Sequence, residues 1–242
     1  VTSNLRRTLP TIPTLVALGV LLAAFITVLT RNVLDSSGLA TMDPELSGWA
    51  VDNRNGVLTP TAQMVSNCGD TLSMTILTVI VCAALLRERD RLRAVLIAVT
   101  GLGAALIVAI AKRLVGRERP PVADRLAVEN SLSYPSGHST GTFVVVGIVA
   151  IVLIPMLAHA AARVGAALIA VLFIAAVGAS RVYLGVHWPT DVLAGWSIGA
   201  LWILLCLAVF RYLTLRSRAA ATVDPCREQS KSPTASSSRS TR

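Results

Sequence analysis

Charge is what this chain has least of. Only 14% of its 242 residues are Asp, Glu, Lys or Arg, while 54% are hydrophobic. Soluble domains carry about 25% charged residues, so an ordinary water-facing surface is excluded. Cysteine is also sparse. Cys68, Cys82, Cys206 and Cys226 are scattered over loop, helix and tail positions, with no pair at metal-ligand spacing, which implies neither a disulfide nor zinc. No internal repeat is evident. No folded segment presents a basic face, so the net charge of +9 does not point to nucleic acid.

What is present is apolar sequence in blocks. A bilayer takes about 20 residues of helix, and six blocks near that length occur at 12–29, 71–86, 94–111, 141–158, 164–178 and 192–210. The second and fifth are short and are expected to extend into 65–70 and 160–163. A helical bundle in water does not need apolar runs of this length and number. The reading is an all-α integral membrane protein, a helical bundle of six transmembrane helices. Residues 1–11 are its N-terminus and 12–214 the membrane domain, and 215–242 form a Ser/Thr-rich, basic, disordered tail suited to anionic headgroups. Arg6 and Arg7 before the first block would also suit a secretory signal. An uncleaved first helix is expected instead, because its apolar run exceeds the usual signal core and five further blocks follow.

Orientation comes from the short loops. Arg6 and Arg7, the "RERDRLR" stretch with Arg87, Arg89, Arg91 and Arg93, and Arg211, Arg216 and Arg218 are expected to be cytoplasmic. Asp35, Asp43, Glu45 and Asp52 outnumber Arg31 and Arg54 after the first block, so that loop belongs outside. Six spans then put both termini in the cytoplasm and loops 112–140 and 179–191 at the outer face of the cell membrane. Loop 112–140 nevertheless holds Lys112, Arg113, Arg117, Arg119 and Arg125, on the side where the rule disfavours them. An anionic ligand would account for these charges, and a solvated basic loop is the alternative. Arg113, Arg117 and Arg125 are read as solvated, and Tyr183 and Trp188 as interfacial anchors.

Three short pieces carry chemistry. In "KRLVGRERP", Lys112 and Arg119 are seven apart and would share a helix face if the helix continued, an ammonium beside a guanidinium suited to phosphate or carboxylate. In "YPSGHST", Pro135 and Gly137 make a tight turn opening onto the fourth block, so that Ser136, Ser139 and free helix N–H groups form an anion cradle. His138 there could cap the helix or donate a proton to a leaving oxygen. In "SRVYLGVHWPTD", Arg181 adds a second fork, while His187 and Asp191, four apart around Pro189, could either pin a helix end or orient an imidazole through one nitrogen.

These residues resemble the three-part signature of the type-2 phosphatidic acid phosphatase superfamily, which includes lipid phosphate phosphatases, bacterial acid phosphatases and vanadium-dependent haloperoxidases. Lys112 with Arg119 and Pro120, "PSGH" at 135–138, and Ser180 and Arg181 with His187 and Asp191 fill every position. The resemblance implies that His187 attacks phosphorus to give a phosphohistidine, Asp191 orients it, and His138 protonates the departing oxygen. It also implies that Lys112, Arg119, Arg181, Ser136 and the Gly137 amide hold the nonbridging oxygens. No metal and no other cofactor is expected, since three side-chain cations can stabilise a spread negative transition state.

The expected partner is a lipid phosphate in the bilayer: polyprenyl pyrophosphate first, with phosphatidate or phosphatidylglycerol phosphate as further candidates. Two other readings use the same pocket. One is vanadate-dependent halide oxidation, expected of soluble proteins, and the other is non-enzymatic binding or transport of an anionic lipid, which would not need both histidines. Asp124, Glu129 and Asn130 could form a lid. The sequence carries no signal for oligomeric state.

Overall fold

The computed structural model describes residues 11–223, with side chains to residue 216. Among the described residues there are helices and no strand. The helices are α1 (Ile12–Leu34), α2 (Asp43–Asp52), α3 (Leu58–Cys68), α4 (Thr71–Arg87), α5 (Arg91–Val115), α6 (Gly137–Leu153), α7 (Ala160–Tyr183) and α8 (Pro189–Val223). Five of them, α1 and α5 to α8, are long and apolar enough to cross a membrane, and α3 with α4 makes a sixth span if that bent pair is counted as one. Five of the six expected blocks fall within these helices, and the fourth, 141–158, runs past the end of α6 through a 3-10 turn at Ile154–Met156. The result is an all-helical, multi-pass membrane protein.

Local chemistry sets the helix ends. Asp70 caps α4 by accepting from Ser73 N at 2.6 Å, and Asp90 caps α5 by accepting from Arg93 N at 3.2 Å. Pro189 occupies the first position of α8, where no amide is needed, with Asp191 in the same turn at the positive end of the helix. Gly116 closes α5 with a left-handed φ of 68°, its N–H returning to Lys112 O at 3.0 Å.

Two expectations change here. The second block does not extend straight into 65–70: the extended backbone of Asp70 stops the helix, and α3 meets α4 at 46°. The loop after the first block, expected only to lie outside, contains the helix α2, opened by Asp43 and Pro44. Of the expected tail, 215–223 continue α8, while 224–242 lie outside the described residues, as do Arg6 and Arg7.

The core runs between α4, α5, α6 and α8, where Ile97, Val144, Ile148 and Val152 are wholly enclosed with Leu96, Ile203 and Leu207. Outward-facing residues such as Leu21, Leu102, Leu106 and Ile169 are apolar and exposed, as a lipid-facing surface requires. Small residues permit the close contacts. At Gly195, a Cβ would lie 2.9 Å from Thr140 Oγ1 and 3.0 Å from Ser136 O, so only glycine lets α8 press against the first turn of α6. That contact, with Ser136 N donating to Asp191 O at 3.1 Å, joins the "PSGH" turn to the start of α8.

Candidate active site

The C-terminal ends of α5 and α7 and the N-terminal ends of α6 and α8 meet at one end of the bundle, and the segment 116–136 folds over them. Arg54 fastens this segment, donating from Nη2 to Asp124 O at 2.7 Å and from Nε to Tyr183 O at 3.0 Å. Leu126 N donates to Leu184 O at 2.9 Å. The predicted residues Lys112, Arg119, Ser136, Gly137, His138, Arg181, His187 and Asp191 are all brought to this end.

Lys112 and Arg119 do meet, though by another route than a continued helix face. The chain reverses at Gly116, and both side chains converge on the 131–132 backbone. Lys112 Nζ donates to Leu132 O and to Ser131 Oγ, the latter at 3.3 Å. Arg119 donates from Nε to Ser131 O at 2.6 Å and from Nη2 to Ser131 Oγ at 3.0 Å.

His187 and Asp191 form the centre. Asp191, with no exposed surface, accepts on Oδ2 from Trp188 N at 2.9 Å, Ser133 Oγ at 2.5 Å and His187 Nδ1 at 3.3 Å. A proton held on Nδ1 leaves Nε2 unprotonated, and its lone pair accepts from Arg119 Nη1 at 3.1 Å, which also donates to Val186 O at 2.6 Å. Burial pushes the His187 imidazole down to about 4, opposed by its bond to Asp191 and reinforced by Arg119 and Arg181. The ring is therefore neutral at physiological pH.

The cations meet on a carboxylate. Glu129 accepts from Arg119 Nη2 at 3.3 Å and from Arg181 Nη2, and is joined to both by salt bridges. Burial favours the protonated acid, but Arg181 and Arg119 outweigh it and hold the Glu129 carboxyl below the usual range. Arg181 is 3% exposed; its Nη1 donates to Ser66 Oγ at 2.6 Å, and its buried Nε has no hydrogen-bond partner among the described residues. A protein anion thus sits between two guanidinium forks, one of which keeps a donor unspent.

The "PSGH" turn forms the opposite wall. Ser136 is fully buried as the N-cap of α6, its Oγ accepting from Ser139 N at 3.4 Å and Ser139 Oγ at 3.0 Å, which leaves its own hydroxyl proton available. His138, next along, is half-buried and faces the charges of Arg181, Glu129, His187 and Asp70.

Sequence reasoning missed several contributors. Arg117, expected to be solvated, is 15% exposed and pairs with Asp191 Oδ1 at 2.7 Å and Asp43 Oδ2 at 2.6 Å. Its guanidinium also lies 5.5 Å from the centre of the Trp188 ring, whose Nε1 donates to Glu118 O at 3.1 Å. Tyr183, read as an interfacial anchor, shares hydrogen bonds with Thr59 Oγ1 at 3.0 Å and Asn55 N at 3.1 Å. Ser133 carried no motif, and Glu129, named from the sequence only as a candidate lid residue, pairs with Arg119 and Arg181. The only available hint for Arg117 was its place two residues before Arg119 in the basic cluster.

The chain is similar to several known proteins. A family model described as the PAP2 superfamily matches residues 92–215. Over 101 residues the chain is 42% identical to phosphatidylglycerophosphatase B of Bacillus subtilis (strain 168), covering 40% of this chain and 47% of that protein. Over 111 residues it is 35% identical to decaprenylphosphoryl-5-phosphoribose phosphatase of Mycobacterium tuberculosis, covering 42% and 54%. The chain thus spans about half the length of the curated relatives it matches. The structure superposes on the crystal structure of a transmembrane PAP2 type phosphatidylglycerolphosphate phosphatase from Bacillus subtilis with a TM-score of 0.72 and 30% identity, covering 79% of this chain and 94% of that one. Aquifex aeolicus LpxE shares the fold, with a TM-score of 0.56, 19% identity and coverage of 69% and 94%.

Proposed function

The chain belongs to the PAP2 superfamily, and on that premise we propose that it hydrolyses the terminal phosphate of a membrane lipid through a phosphohistidine on His187. The observation that carries this is the His187 ring: Asp191 takes Nδ1, and Nε2 points to Arg119 beside the Arg119–Glu129–Arg181 cluster. An incoming phosphate would displace Glu129 and take its two forks, with Lys112 and the spare Arg181 Nε as further donors. Ser136 and the Gly137 amide close the cradle.

In the first step Nε2 forms a bond to phosphorus as the bond from phosphorus to the leaving oxygen breaks, and His138 gives that oxygen a proton. In the second, water attacks the phosphohistidine, His138 takes up a water proton, and inorganic phosphate leaves with His187 restored. Positioned charge supplies most of the rate in phosphoryl transfer, and Lys112, Arg119 and Arg181 stand where it is needed.

The lipid tail has a place to lie. A cavity of about 420 Å³ between α4, α5 and α6 is lined by Met74, Val79, Leu102, Val108 and Val145, and reaches Gly137 beside His138. The charge bias of the short loops supports a site at the outer face with both termini inside. That orientation favours a polyprenyl pyrophosphate, with phosphatidate and phosphatidylglycerol phosphate next. The relatives are named for one glycerophospholipid and one decaprenyl lipid, which share a phosphate and differ in tail. A pure lipid-binding role would leave the oriented nucleophile His187 without a task.

The test is phosphate release by purified protein across a panel of these lipids in the presence of EDTA. Turnover of at least one lipid, undiminished by the chelator, is expected. An inert panel would overturn the reading, and activity restored by magnesium after EDTA would overturn the metal-free form of it. Across pH, kcat/KM is expected to hold on the acid side down to about pH 4, because the depressed His187 stays neutral until then. An acid limb near 6.5, the ordinary histidine value, that stays in place between lipid phosphates of different pKa would show that the nucleophile is another group or is not buried as described.

A further inference from the structure

Asp191 has two carboxylate oxygens and only one of them serves His187. Oδ2 collects Trp188 N, Ser133 Oγ and His187 Nδ1, whereas Oδ1 accepts from Arg117 Nη1 at 2.7 Å. Arg117 is itself held. Its Nη1 also donates to Thr190 Oγ1 at 2.8 Å, and its Nη2 donates to Asp43 Oδ2 at 2.6 Å. Asp43, the first residue of α2 and 1% exposed, accepts from Thr190 N at 3.0 Å and from Thr190 Oγ1 at 2.5 Å. A helix far away in sequence is thereby bolted to the first turn of α8, one residue from Asp191.

We infer that Arg117, anchored by Asp43 and Thr190, is a positioning residue that fixes the Asp191 carboxylate and so aims the His187 imidazole. The inference rests on the reading of His187 as nucleophile. The geometry requires a fork: one guanidinium spans two carboxylates and a hydroxyl at once, which a lysine ammonium on a flexible stem does not reproduce. Without Arg117, Oδ1 loses the only hydrogen bond it has among the described residues, and the Asp191 charge is compensated only from the His187 side. The carboxylate would then turn toward other donors and the imidazole would follow it.

The charges around His187 give this a signature. Facing it are Asp191 from α8, Arg119 and Glu129 from the 116–136 segment, His138 from α6 and Arg181 from α7. Removing the Arg117 cation leaves Asp191 more negative as felt by the ring, which favours the imidazolium. His187 should therefore titrate at higher pH in Arg117→Gln than in the wild type. Arg117→Lys keeps a charge near Asp191, so its titration should stay near the wild-type position while kcat recovers only in part.

The experiment uses the full chain in detergent, with steady-state kinetics on a lipid phosphate turned over by the wild type and NMR titration of the histidines, His138, His159 and His187. Supporting groups around a reacting centre are typically worth about 10–100-fold. Arg117→Gln is expected to lower kcat by about that much with KM changed less than about twofold. Asp43→Asn should give the same pattern more weakly by unseating Arg117. A folded Arg117→Gln with wild-type kcat and unmoved His187 titration would overturn the inference. So would a loss of kcat that follows loss of thermal stability while the titration stays put, the behaviour of a merely structural residue. If the wild type cleaves no lipid phosphate yet His187 shifts upward in Arg117→Gln and returns in Arg117→Lys, the brace stands and the phosphatase reading falls.

Discussion

Replacing His187 with alanine is expected to abolish turnover and covalent phosphoenzyme together, with a fall in kcat of about 10⁶-fold, the scale seen when a nucleophile is removed from a site whose members act as a unit. The size of the effect follows from the geometry. No other side chain in the site combines a neutral lone pair with an orienting carboxylate. His138 faces the same charges from the first turn of α6, but the Asp191 carboxylate is committed to His187 Nδ1, Ser133, Trp188 and Arg117. Those other donors also explain why the variant should still fold: Asp191 keeps Ser133 Oγ, Trp188 N and Arg117, so no charge is stranded. The measurement is release of labelled phosphate in parallel with acid-quenched trapping of labelled protein. A variant that turns over at near wild-type rate, or that still traps label, would remove His187 from the nucleophile's role.

Much of this site was legible because its parts are local. His187 and Asp191 are one helical turn apart, the "PSGH" turn is contiguous, and apolar block lengths alone place the helices that carry them. The same blocks marked the bundle, since a span needs only a run of apolar residues and a break. What stayed hidden depends on contacts with no spacing rule. Asp43 reaches Thr190 across 147 residues and Arg117 reaches Asp191 across 74, so neither pair leaves a periodic trace. Arg117 looked solvated because a basic loop ordinarily is; it is enclosed because α2 folds back and supplies a carboxylate. The bend between α3 and α4 falls where the sequence turns polar, at Ser66 to Asp70, with Gly69 ending α3 and Asp70 capping α4; extending the short second block into 65–70 ran through that break. The approach of Lys112 and Arg119 was expected for the wrong reason: seven-residue spacing suggested one helix face, whereas the left-handed turn at Gly116 brings them together.

Asp191→Asn should yield a folded protein whose kcat falls by about 10⁴-fold with little change in KM, the scale found when an orienting carboxylate of a catalytic histidine is neutralised without change of shape. An amide cannot satisfy this pocket in either orientation. With its oxygen in the Oδ2 place it still accepts from Trp188 N and Ser133, but its NH₂ then faces Arg117 Nη1, donor against donor, where the carboxylate oxygen had been 2.7 Å away. With the amide turned over, the NH₂ faces His187 Nδ1, which can accept only by losing its proton. That proton moves to Nε2, the atom that must attack phosphorus, and the lone pair is lost. In the first orientation the ring keeps its tautomer and loses its orienting anion; in the second it keeps a partner and loses its nucleophile. Nitrogen-detected NMR of the imidazole distinguishes them, because the proton sits on Nδ1 in one and on Nε2 in the other. Either state should leave substrate binding to Lys112, Arg119 and Arg181 intact, so the loss belongs in kcat. An Asn variant retaining more than about a tenth of wild-type kcat would show that Asp191 pins the start of α8 and does not aim the histidine.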